Sequence, residues 1–337
     1  ARQANLSAMS HTTNIILIAT ETDPVATAVS TAIGAGSGDL AGLRRIEPDD
    51  FSNDDPENGS ILLIGDSGLD AVSIDDFDQA IPGLVQFLGC RPPTALVDHL
   101  NEAGTVVAGI SPVIAPRVAN RVVGLAGPLM SSVGVQRGDS GPVWGIVGMG
   151  VTGTEVARKL VSTGATVNMA DIRTTRSGVL LELGVRRLSL DLLVAGADVL
   201  TLHLYPGATA SPLITGRELG LMKDGAVLVN TSDSSIVDEE AVLEALANGP
   251  LGAYATDCPG DVIGNTDGSL ASSGKLIITT NPLTNQIGAA QQIAKFAAAN
   301  VQAFHDGLNI EGKIDLIDFP KLGDPSFWSS RMSPRQD

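Results

Sequence analysis

"VWGIVGMGVTGTEVARKL", residues 143–160, decides the fold. It opens as a short apolar run, bends at three glycines and continues with apolar residues at three- and four-residue steps. The first part reads as a buried strand and the last as an amphipathic helix. Gly148, Gly150 and Gly153 make a G-x-G-x-x-G turn between them. Glycines there permit the tight bend, the close approach of the Val151 and Thr152 N–H groups to a pyrophosphate, and close helix packing. Alone, the pattern is weak. Here Asp171 follows Gly148 by 23 residues and ends the next apolar run, "ATVNMAD" (165–171). A carboxylate in that place accepts a hydrogen bond from an adenosine ribose. Strand, turn, helix and acid together predict a Rossmann dinucleotide-binding domain. Asp171 favours NAD, because it would repel a 2′-phosphate, while Arg173 and Arg176 keep NADP as the alternative.

The alternation continues downstream through "DVLTLHL" (198–204), "GAVLVNT" (225–231), "GAYATD" (252–257) and "KLIITT" (275–280), with helical patterns between them. Upstream, "NIILIAT" (14–20), "SILLIGD" (60–66), "LVQFLG" (84–89) and "TVVAGI" (105–110) form a second series of buried strands. Strands alternating with helices imply parallel sheets with right-handed crossovers. The segment 285–307 carries Ile287, Ala290, Ile293, Ala294, Ala297, Val301 and Phe304 at helical spacing, which predicts a core-packing stripe. The acidic stretch 47–60 reads as a solvated loop.

With 337 residues, 43% hydrophobic and 18% charged, the chain has material for two folded domains. Its formal net charge of −17 makes nucleic acid and anionic membrane surfaces poor partners. Two cysteines, Cys90 and Cys258, cannot build a disulfide framework, and no Cys/His spacing suggests a metal site. The first apolar run is too short for a signal-peptide core or a membrane span, so a cytoplasmic location is expected.

The segment "ELGLMKDGAVLVNTSDSSIVDEEAVLEALANGPLGAYATD" (218–257), with "LLVAGADVLTLHL" before it and "VAN" at 118–120, resembles the D-isomer-specific 2-hydroxyacid dehydrogenases. The likeness covers most of the chain. It implies an α/β protein of two doubly wound parallel-sheet domains. A Rossmann NAD domain (116–283) would be inserted into a flavodoxin-like substrate domain (1–115 with 284–337). By the same likeness Asp257 bonds the nicotinamide carboxamide, and His203, Thr231 and Ser232 lie beside the cofactor, His203 in a structural role. The cofactor set is thus Gly148, Gly150, Val151, Thr152, Gly153, Asp171, Arg173, His203, Thr231, Ser232 and Asp257.

The family reduces 2-keto acids with an arginine on the carboxylate, a histidine as proton donor and a glutamate that keeps the histidine basic. The corresponding positions here are Asp233, Pro282 and Val262, with Asp261 one place away. Two anionic groups about 4 Å apart at an effective dielectric near 20 repel by about 4 kcal/mol, so an ionised Asp233 opposes a 2-keto acid in the usual pose. Pro92 and Pro93 remove backbone donors from the expected substrate loop (89–98), and Tyr205 and Pro206 shift the family's H-x-P loop by one residue. The segment that forms dimer arms in the family is shortened before Trp144, which leaves a homo-oligomer with an atypical interface open.

Three functions are compatible with these residues. One is a re-tooled NAD-dependent oxidoreductase acting on a cationic or neutral small molecule, with Asp233, Asp261 and Ser235 as candidate catalytic residues. Another is a non-catalytic NAD-binding protein. The third keeps ordinary 2-hydroxyacid chemistry, with Arg91, Arg117 or Arg331 in place of the missing arginine.

Overall fold

The computed structural model describes residues 14–35, 42–52, 56–78, 80–89, 92–135, 141–172, 177–204, 212–266, 268–279 and 283–314. They fall into two compact units, one within Ala1–Val113 and Leu283–Ile317, the other within Ile114–Pro282. Cys90, Arg91, Arg173, Arg176, Tyr205, Pro206, Pro282 and Arg331 lie outside the described residues.

The first unit is built on five strands, β1 (Ile15–Ile18), β2 (Leu43–Ile46), β3 (Ile61–Ile64), β4 (Leu84–Phe87) and β5 (Val106–Ala108). All pair in parallel, in the order β2-β1-β3-β4-β5. β1 and β3 read IILI and ILLI and are buried along their whole length, as strands covered on both faces must be. Gln86, also fully buried on β4, is satisfied by donating to Phe87 O and accepting from Asn300 Nδ2 at 2.7 Å. Helix Pro24–Gly34 is capped by Asp23, whose Oδ1 accepts from Val25 N and Ala26 N, and it packs on helix Ala289–His305.

That last helix corrects one expectation. It starts at Ala289, after Gly288 at φ 75°. Ile287 therefore precedes the helix and is fully exposed, while Ile293, Ala294, Ala297 and Val301 form the buried stripe. A left-handed glycine breaks the periodicity just where the sequence pattern ran on.

The second unit carries β6 (Val143–Val147), β7 (Thr166–Ala170), β8 (Arg186–Arg187), β9 (Val199–Leu202), β10 (Ala226–Asn230), β11 (Leu251–Thr256) and β12 (Leu276–Ile278). Its sheet is parallel throughout, in the order β12-β11-β10-β9-β6-β7-β8. One face packs an aliphatic core from Leu200, Leu228, Val242 and Leu246 around a single large aromatic, Tyr254. Strand order reverses at β6, between β9 and β7, so the crevice at the carboxyl ends of these strands is where such a sheet takes ligands.

Candidate functional site

Beyond β6 the chain turns at Gly148, held at φ 92°, and enters the helix Val151–Ser162 with Gly150 as its N-cap. A Cβ on Gly148 would lie 2.3 Å from His203 O, and one on Gly153 would lie 2.0 Å from Gly148 O. Only glycine fits either place, so the turn can lie flat against the strand ends. No side chain caps this helix. The first-turn N–H groups, those of Val151, Thr152 and Gly153, have no partner within the helix, and together with the helix dipole they suit an anion. Val151 is half exposed. These residues fit a pyrophosphate.

Asp171 follows β7 and is almost fully buried, with its Oδ2 accepting from Met149 N at 2.6 Å. The carboxylate is thereby fixed one strand from the glycine turn. On the other side of β6, His203 directly follows β9. Its Nε2 lies 3.0 Å from Thr201 Oγ1, and burial pushes its pKa down to about 3, so the ring is neutral at pH 7. Nδ1 of His203 and Oγ1 of Thr231 are buried and have no partner among the described residues. Both stand at the carboxyl edge of the sheet, where a bound ligand could satisfy them.

The stretch after β10 is folded on itself. Asn230, fully buried, donates from Nδ2 to Asp233 O and accepts from Ser232 N. The Ser232 hydroxyl donates to Leu202 O at 2.7 Å and accepts from Leu204 N at 2.9 Å, tying the β10 loop to the end of β9. Ser232 thus braces the site with its side chain. Asp233 caps the short 3-10 turn Ser234–Ile236, its Oδ1 accepting from Ser235 N at 3.0 Å and Ser235 Oγ at 2.6 Å. Asp233 and Ser235 are therefore brought together, and Asp261 stands at the first position of helix Asp261–Gly264.

Asp257 follows β11. Arg121, on helix Ser111–Ser132, donates from Nη1 to Asp257 Oδ2 at 2.9 Å, and the two side chains are only 10% and 6% exposed. Three strand spacings separate β6 from β11, which puts Asp257 about 14 Å from the glycine turn. That span suits a dinucleotide laid across the strand ends, with its adenosine towards Asp171 and its other ring towards Asp257.

A shallow open depression of about 310 Å³ lies beside the β10 loop, lined by Ser234, Ser235, Asp238, Glu239, Glu240, Gly260 and Val262 among others. Among the described residues, no Lys, Arg or His lines it. Buried Glu239 accepts from Gly260 N at 2.6 Å and Ile263 N at 3.0 Å, and so positions the loop that carries Asp261 and Val262. Among the described residues no group of three or more His, Cys, Asp and Glu could hold a metal ion. No described helix is long and apolar enough to cross a membrane.

Sequence reasoning missed Arg121, Asn230 and Glu239. For Arg121 a signal existed: a buried carboxylate at position 257 needs a cationic or hydrogen-bonding partner, and "VANR" offers an arginine beside the quoted VAN. Asn230 and Glu239 act through backbone groups, which side-chain spacing does not reveal.

Comparison with known proteins agrees with this geometry. Residues 134–280 match the family described as D-isomer specific 2-hydroxyacid dehydrogenase, NAD binding domain. The chain is 35% identical over 126 residues to 4-methyl-2-oxopentanoate reductase A of Aspergillus oryzae, covering 37% of this chain and 38% of that protein. It is 31% identical over 167 residues to glyoxylate reductase of Aeropyrum pernix, covering 50% of each. The chain thus spans about half or less of the length of these relatives. In fold it is similar to the NAD-complexed D-isomer specific 2-hydroxyacid dehydrogenase of Lactobacillus delbrueckii ssp. bulgaricus. The TM-score there is 0.64 at 18% identity, over 90% of this chain and 100% of the other. Residues 134–280 are thus an NAD-binding domain of the kind found in the D-isomer specific 2-hydroxyacid dehydrogenases.

Proposed function

We propose that the chain is an NAD(H)-dependent oxidoreductase whose substrate is a cationic or uncharged small molecule rather than a typical 2-keto acid. The observation that carries this reading is the charge around the β10 loop. Asp233 occupies the place where the resemblance expects an arginine, and the adjoining depression is lined by Asp238, Glu239 and Glu240 and, among the described residues, by no cation. An arginine there would supply two parallel donors to a carboxylate; a carboxylate supplies none. When bound, NAD exchanges hydride at its nicotinamide ring. The glycine turn, Asp171 and Asp257 orient the dinucleotide, and His203, neutral and buried, supports the Gly148 turn. Asp233 and Asp261 are the groups able to accept a proton from an amine or alcohol.

A panel of amines, alcohols, aldehydes and 2-keto acids, read as NADH absorbance change, tests this. Turnover of a non-carboxylate member, lowered at least tenfold by Asp233→Ala, is expected; 2-keto acid reduction alone would reject it.

A second reading is supported by the hydrogen bonds of Asp233, one of whose oxygens already accepts twice from Ser235. A carboxylate so engaged serves the turn, which favours a non-catalytic NAD-binding protein. NADH binding without turnover of any panel member, and unaltered by Asp233→Ala, is its signature.

A further inference from the structure

Arg121 stands on the buried face of its helix. Val118 and Leu125, three residues before it and four after it, are core, as is the adjacent Val122. A charge on such a stripe costs solvation. Its ion pair with Asp257 offsets that cost only where geometry is good, and an apolar pair of similar size would hold the helix as well or better. Packing therefore gives no reason for the pair. Its location does, since Asp257 is at the carboxyl edge of the sheet, three strands from the pyrophosphate turn.

We propose that Arg121 is a positioning residue for the nicotinamide end of the dinucleotide. By bonding Oδ2 it holds Asp257 in one rotamer, so that the carboxylate is aimed as an acceptor for the carboxamide N–H. The inference rests on the reading that Asp257 meets the carboxamide. Arg121 touches neither cofactor nor substrate in this role. It acts through Asp257.

The test is fluorescence titration of the full chain with NADH and with reduced 3-acetylpyridine adenine dinucleotide, in which a methyl group replaces the carboxamide NH2. Wild type is expected to prefer NADH by roughly tenfold, the worth of one charge-assisted hydrogen bond. Asp257→Asn and Arg121→Met should each bring that ratio close to one, Arg121→Lys should restore most of it, and the double variant should add nothing further. A purely structural arginine would weaken both ligands alike and leave the ratio unchanged; that result in Arg121→Met overturns the proposal. Should Arg121→Met not fold, Arg121→Gln is read the same way. If Asp257→Asn loses the preference while Arg121→Met keeps it, only the role of Arg121 fails. If Asp257→Asn keeps the preference, or wild type has none while binding NADH, the carboxamide reading fails with it.

Discussion

At the scale of single residues, His203 joins burial to a pH response. Its ring protonates near 6.5 when unfolded and near 3 in the folded protein, because burial disfavours the charged form. Between those values the unfolded chain binds the extra proton, so stability rises with pH and is lost as pH falls below about 6.5. At pH 5 the loss attributable to this group is on the order of 2 kcal/mol. Urea unfolding of wild type and His203→Gln at pH 5 and 7.5 measures it: the variant should show a flatter dependence by about that amount. Equal slopes would mean that the ring is hydrated. Asp233 makes a second residue-scale case. As a cap accepting from Ser235, its removal in Asp233→Ala should cost about 1 kcal/mol of stability, measurable by the same denaturation. The sequence made Asp233 conspicuous as a departure from a motif, yet gave no sign of its bond to Ser235, since an Asx turn needs only neighbours that any polar loop provides.

Among the elements, the turn from β6 into helix Val151–Ser162 was the most legible, because every constraint on it is local in sequence. Its glycines are separable by experiment. Gly148→Ala and Gly153→Ala each drive a Cβ into backbone, at 2.3 and 2.0 Å. Each should lower stability by about 2 kcal/mol or more and weaken NADH binding at least tenfold, measured by thermal unfolding and titration. Gly220, in the helix Gly216–Leu221, has no atom within 4 Å of an added Cβ. Gly220→Ala should instead stabilise the chain by about 0.5–1 kcal/mol and leave NADH binding unchanged. Edge elements were the least legible. β2 reads LRRI and β8 is two arginines, so neither carries an apolar run, and both exist because a neighbouring strand end offers unpaired backbone groups. The start of helix Ala289–His305 was misplaced for the opposite reason: Ile287 fits the apolar period, but Gly288 breaks the backbone path.

For the whole molecule, charge is the property that sequence gives directly and folding only distributes. A chain of formal net charge −17 surrounds a cradle meant for an anionic dinucleotide. The cradle attracts over short range, through the uncapped helix N-terminus, whereas the net charge repels over the Debye length, about 30 Å at 0.01 M salt and 8 Å at 0.15 M. Raising salt across that interval removes most of the long-range repulsion and little of the short-range attraction. NADH association should therefore quicken by a few fold with dissociation nearly constant, and stopped-flow fluorescence separates the two rates. A cationic substrate drawn to the carboxylates beside the β10 loop would respond in the opposite sense, its kcat/KM falling as salt rises. Opposite salt slopes for cofactor and substrate would support an anion-lined reaction chamber next to an anion-binding turn. Rising slopes for both would instead mean that a cationic substrate meets a cationic patch, and would favour the third possibility, a relocated arginine.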